Sequence, residues 1–90
     1  METPILIHNN THIELTRIVK FKGDIFFNKK YFFIADINNI EASRYGEDKE
    51  KCTRIEFNDG IYIKVSESYK HIRDTLKIWQ KSIQELEVKE

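Results

Sequence analysis

Histidine, cysteine and carboxylates carry most side-chain chemistry, and few of them in this chain are spaced to cooperate. His8 and His12 lie four residues apart, the separation of two ligands on one helical face. The intervening Asn9-Asn10-Thr11 reads instead as a turn, because asparagine tolerates left-handed backbone. Two imidazoles without a further ligand make a weak site, so no metal is expected. Cys52 is the single cysteine, which rules out an internal disulfide framework. As a nucleophile it would need a base and an orienting group, and His71, on a helical segment, is the only candidate base of fixed geometry. Nothing in the spacing joins the two. Glu47, Asp48 and Glu50 crowd one polar run, which resembles a solvated loop tip more than an acid/base pair. There is no Gly-rich phosphate loop, nucleophile elbow or repeated ligand spacing. The expectation is a protein that is not an enzyme, with no catalytic residue and no cofactor.

Binding chemistry has more support. Lys20, Lys22, Lys29 and Lys30 surround a run of aromatic residues, Phe26, Phe27, Tyr31, Phe32 and Phe33, and bases stack on such rings. Nucleic-acid binders draw affinity from neutralising phosphates. Here 15 basic residues are cancelled by 15 acidic ones, so a nucleic-acid-binding regulatory domain using that Lys/aromatic patch is the alternative reading. The aromatic pairs suggest something else. Phe26-Phe27 and Phe32-Phe33 are neighbours, and neighbouring side chains in a strand point to opposite faces. Unless both faces are covered, some rings stay outside, which points to a second buried surface. Self-association is the commonest use of one.

The elements that must hold these residues follow from periodicity. Ninety residues suggest one domain, with residues 1–65 a strand-rich sheet and 66–88 a C-terminal helix. Residues 12–21 alternate well enough for a strand, with a bulge expected near Arg17. Lys22-Gly23-Asp24 is a turn. Residues 25–27 and 31–35 read as two strand-like runs separated by Asn28-Lys29-Lys30. Asp36 to Asn39 reads as a tight connection, 40–45 as a strand and 46–51 as an exposed loop.

Residues 53–57 and 61–65 alternate on either side of Asn58-Asp59-Gly60. A two-residue loop would put their apolar rows on opposite faces. A three-residue loop pairs Phe57 with Ile61, Ile55 with Ile63 and Thr53 with Val65, placing those rows on one face. Gly60 then supplies the left-handed residue. Beyond it Ser66 is the expected N-cap, with Glu67 where the helix dipole favours an anion. Tyr69, Ile72, Leu76, Trp79, Ile83 and Leu86 recur at helical spacing as one apolar stripe. The fold class is α+β: an antiparallel sheet of about five or six strands with one long C-terminal amphipathic helix packed on it.

Part of this pattern resembles a known family. Ile40-Glu41-Ala42, Thr53-x-Ile55-x-Phe57-Asn58-x-Gly60, Ile63-x-Val65-x-Glu67-Ser68 and Ile72 are similar to the small FlbD-like flagellar and swarming-motility proteins. Leu15-Thr16-Arg17 resembles their opening. The strand–hairpin–helix pattern is shared with LytTR-type DNA-binding domains. The aromatic segment 25–34, the 46–51 loop and the extended helix depart from the FlbD-like pattern. The resemblance implies a non-enzymatic accessory protein and brings no catalytic residue with it.

The expected activity is therefore that of a non-enzymatic protein-interaction module that self-associates as a homodimer. Trp79, Ile83 and Leu86 lie where a short sheet no longer reaches, and together with Phe26 and Phe32 they are the expected interaction residues. No apolar run approaches the roughly 18 residues of a membrane span, and the N-terminus lacks the basic start of a signal peptide. A cytoplasmic location without membrane contact is expected.

Overall fold

A computed structural model of the chain describes the backbone of residues 4–88 and the side chains of residues 4–83. Six strands run in order: β1 (Ile7–His8), β2 (His12–Phe21), β3 (Asp24–Phe33), β4 (Ile37–Tyr45), β5 (Glu50–Phe57) and β6 (Tyr62–Val65). A 3-10 turn at Ile34–Asp36 joins β3 to β4, and the helix α1 (Tyr69–Val88) follows β6. Every pairing is antiparallel. β2 carries β3 on one side and shares its other side between β1 and β6; β5 and β4 continue from β6. β3 and β4 are thus the two long outer strands, and the two-residue β1 likewise pairs on one side alone.

The β2–β3 hairpin departs from expectation. Lys22 (φ 51°) and Gly23 (φ 83°) both take positive φ, the pattern of a type I′ turn, whose twist suits a two-residue connection. With no slack in the turn, pairing runs unbroken from Phe21↔Asp24 to His12↔Phe33. No bulge forms at Arg17, which pairs with Asn28 on one side and Val65 on the other. The two strand-like runs are one ten-residue strand, because Asn28, Lys29 and Lys30 keep their backbone in the ladder and send side chains to solvent. The connection to β4 comes earlier than Asp36–Asn39, at Ile34–Asp36. The register shift falls instead in β4, between Ile37 and Asn39.

The second hairpin follows the face-matching argument. Ile55 pairs with Ile63 and Thr53 with Val65. The Phe57 N–H donates to the Ile61 carbonyl at 2.8 Å, and Gly60 sits at φ 87°. Ile61 itself, at the hairpin mouth, stays 61 % exposed. Asn58 ties this turn to the rest of the sheet: its N–H donates to the Asp36 carbonyl and its Nδ2 to that of Ala35.

Helix α1 starts later than expected. The Ser66 N–H donates to the Thr16 carbonyl at 2.9 Å, so Ser66 still extends the sheet. Ser68 is the cap instead, its Oγ accepting from the His71 N–H at 3.2 Å. The core under the helix is Ile13, Leu15, Ile34, Ile55, Ile63, Val65 and Ile72, with Leu76 and Trp79 packed against it.

The sheet is twisted enough that its corners meet across it. On the helix face, Phe32 of β3 stacks on Phe57 of β5 with ring centroids 5.7 Å apart. On the opposite face, Phe27 of β3 meets Tyr45 of β4 edge-on at 6.0 Å. Beside that contact, a Cβ added to Gly46 would lie 3.4 Å from Ile25 Cδ1. Adjacent phenylalanines therefore do serve two faces, and the second face carries a small apolar contact of its own.

Candidate functional site

The exposed apolar surface concentrates on β3. Phe26 (48 %), Phe27 (51 %), Tyr31 (59 %) and Phe33 (43 %) all stand out to solvent. Which way the β3 backbone points follows from its neighbour. In β2 the Glu14 N–H donates to the Leu6 carbonyl, and the Thr16 carbonyl accepts from Ser66. The Thr16 N–H donates to both carboxylate oxygens of Glu67, at 2.8 and 3.1 Å. Even-numbered residues of β2 thus bond away from β3, and the odd-numbered ones bond toward it. Through the β2–β3 register, the even-numbered residues of β3 answer them. Ile25, Phe27, Lys29, Tyr31 and Phe33 then aim N–H and C=O at the open edge, with their side chains on the face opposite the helix.

Glu67 holds β2 from its inner side. Besides the two bonds from the Thr16 N–H, its Oε2 accepts from Thr16 Oγ1 at 2.9 Å, and its carbonyl accepts from Thr53 Oγ1 at 2.7 Å. The carboxylate fills the gap on β2 between β1 and β6. This role replaces the dipole role expected from position alone. The sequence gives no local sign of it, since Thr16 and Glu67 are 51 residues apart.

The sequence-derived interaction residues divide. Phe26 is exposed, opposite Val19. Phe32 is spent on Phe57 within the chain and is not a free contact. Trp79 does not overhang the sheet: it is half-buried, and its Nε1 donates to the Asn10 carbonyl at 2.8 Å. Ile83 is half-buried, while the side chain of Leu86 lies outside the described residues. Trp79 sits by the turn at Asn10, and Phe26 lies near the other end of β2, so the structure does not gather these residues into one patch. Ile78, off the stripe, is the large apolar side chain left exposed among the described helix residues, at 69 %. Sequence reasoning did not single out Phe27, Tyr31 and Phe33 as a group. Their shared parity could have done so, had β3 been read as one strand.

The lysines do not form one patch either. Lys20 and Lys29 fall on the face opposite the helix, Lys30 on the helix face, and Lys22 in the turn. Lys29 Nζ lies 4.0 Å from Glu14, and Lys22 Nζ sits 5.4 Å from the Phe21 ring centroid.

His8 and His12 are direct cross-strand partners. Their rings meet β3 edge-on, His8 against Tyr31 at 4.7 Å and His12 against Phe33 at 5.0 Å. Cys52 is buried opposite Ser43 and lines a cleft of about 730 Å³ with Arg44 and Tyr69. His71 lines two other clefts, neither reaching Cys52. Burial pushes the Cys52 thiol up, against the opposing pull of the Lys64 charge and a Ser43 hydrogen bond. A raised thiol holds less nucleophilic thiolate at neutral pH. Glu47 and Asp48 lie exposed in the β4–β5 loop, and Glu50 opens β5. Among the described residues, no cluster of three His, Cys, Asp or Glu forms, and no helix is long and apolar enough to cross a membrane. No family model, curated protein or solved structure matches the chain.

Proposed function

We propose that the protein is a non-enzymatic interaction module that self-associates as a homodimer. The observation that carries this reading is β3: a ten-residue outer strand with Phe26, Phe27, Tyr31 and Phe33 exposed. An unpaired, aromatic strand edge is a template for another chain, and exposed apolar area of this kind marks interaction sites. An accessory role in the cytoplasm, of the sort the FlbD-like resemblance implies, suits such a module.

Sedimentation equilibrium at tens of micromolar tests the proposal. A dimer is the expected result, and a monomer over that range would overturn it. The nucleic-acid reading is probed in parallel by anisotropy of a labelled single-stranded oligonucleotide. Submicromolar binding at physiological salt that weakens steeply as salt rises would put that reading in place of self-association. The division of Lys20, Lys22, Lys29 and Lys30 between faces disfavours it.

A further inference from the structure

We infer that the partner on β3 is a second copy of β3, paired antiparallel about a two-fold axis through Lys29. The inference rests on the self-association reading and gives it a register.

Two antiparallel edge strands in one continuous sheet are related by an axis normal to the sheet, so both copies keep the same face on the same side. An outward-bonding residue must then meet an outward-bonding residue. Ile25, Phe27, Lys29, Tyr31 and Phe33 bond outward. One register of this kind engages all five. It sets Lys29 opposite its own copy, Phe27 opposite the partner subunit's Tyr31, and Ile25 opposite the partner subunit's Phe33. Sliding by two residues either way leaves outward groups of each copy unpaired. The same register brings exposed Phe26, on the other face, to the edge of the partner subunit's Phe32, whose ring face stays stacked on Phe57. Aromatic cross-strand pairs of this type stabilise a sheet.

The centre of this register sets two lysines face to face, and like charges directly opposite are unfavourable. The neighbouring strand supplies the compensation. Glu14 of β2 lies on the same face, 4.0 Å from Lys29 Nζ. Two-fold symmetry turns each pair into a four-membered ring of alternating charge. The β3 edge also has no proline, and its pairing with β2 shows no bulge.

The test combines two measurements on the full chain. In a Cys52→Ala background, nitroxides are placed at Lys29→Cys or at Phe33→Cys. Residues facing their own copy across the axis have Cα atoms about 5.5 Å apart, so labels at 29 should lie within ~15 Å of each other. Labels at 33 are separated by eight strand steps, about 26 Å. Lys29→Pro removes an outward N–H that the β2–β3 ladder does not use, as an edge position permits, and should abolish the dimer at tens of micromolar with the melting temperature little changed. If that variant fails to fold, the label distances decide. A wild-type dimer with long 29–29 and short 33–33 distances, or one that survives Lys29→Pro, would overturn the register and leave self-association standing. A monomeric wild type would overturn both.

Discussion

The two edges of the sheet are built to opposite rules. β4 is guarded. Its pairing with β5 shifts between Ile37 and Asn39, Asn38 turns its Nδ2 onto Glu56 at 3.3 Å, and the Arg44 carbonyl accepts from Lys64 Nζ at 2.7 Å. Glu41 is held by Arg54 at 2.7 Å. Bulges and edge charges are how sheets discourage further pairing. β3 has a continuous register, aromatic side chains on both faces and two lysines at its middle. A register shift and tied-down backbone and side-chain groups guard β4, whereas β3 relies on its lysines alone. The open side is therefore the side to interrogate.

Three perturbations sharpen or break this contrast. The largest acts on β2, which holds β3 in place. Glu67→Ala leaves the Thr16 N–H and hydroxyl without their acceptor in a half-buried site. An unsatisfied buried donor costs about 1–3 kcal/mol, so a loss of roughly 3 kcal/mol is expected from urea denaturation. Glu67→Gln, which keeps one carbonyl oxygen, should lose less. Equal and small effects of both variants would mean that β1 and β6 alone suffice to hold β2.

Much of this architecture is legible in the residues, and the failures have physical causes. Thr53, Ile55, Ile63 and Val65 announce their register because a slip would turn an apolar row to water. The stripe from Tyr69 onward announces a helix for the same reason. The Lys22-Gly23 turn was visible, but the polar residues Asn28, Lys29 and Lys30 hid the continuity of β3. An outer strand tolerates polar side chains in its middle, and nothing local says which strand will be outermost. The place of Trp79 is illegible locally because its partner, the Asn10 carbonyl, lies 69 residues away. The role of Glu67 is hidden because a helix-start position and a sheet-gap position look alike in sequence.

The intermediate perturbation compares the two hairpin turns that feed the two edges. Gly23 (φ 83°) starts the open-edge hairpin and Gly46 (φ 73°) the guarded one. Left-handed backbone costs an L residue roughly 1–2 kcal/mol, so Gly23→Ala and Gly46→Ala should destabilise the fold to a similar degree. A Cβ at Gly23 meets nothing within 4 Å, and one at Gly46 meets only the end of Ile25 at 3.4 Å. Steric differences therefore do not blur the comparison. Their effects on the dimer should diverge. Gly23→Ala disturbs the turn that sets the start of β3 and should weaken dimerisation in sedimentation runs, whereas Gly46→Ala reaches β3 only through the end of Ile25 and should weaken it less. Equal weakening by both would place the contact elsewhere than on β3.

The smallest effect is confined to alkaline pH and to the guarded side. Cys52 lies on β5, opposite Ser43 of β4, and its thiol is raised chiefly by burial. The folded state thus favours the neutral thiol over the thiolate. In the unfolded chain the thiol ionises at its ordinary pKa, near 8.5. Below that pH both states hold the proton and the stability tied to the neutral thiol is complete. As pH rises further the unfolded chain releases its proton first, so stability declines until the folded thiol also ionises. One proton sets the limit of this slope, about 1.4 kcal/mol per pH unit. Other groups titrate in the same range, so the measurement is a difference. Urea denaturation of wild type and Cys52→Ala between pH 7 and 10 should show the extra alkaline decline in the wild type alone. Parallel curves would mean that water reaches the thiol through the cleft it shares with Arg44 and Tyr69, and that the guarded side is less closed at its base than along its edge.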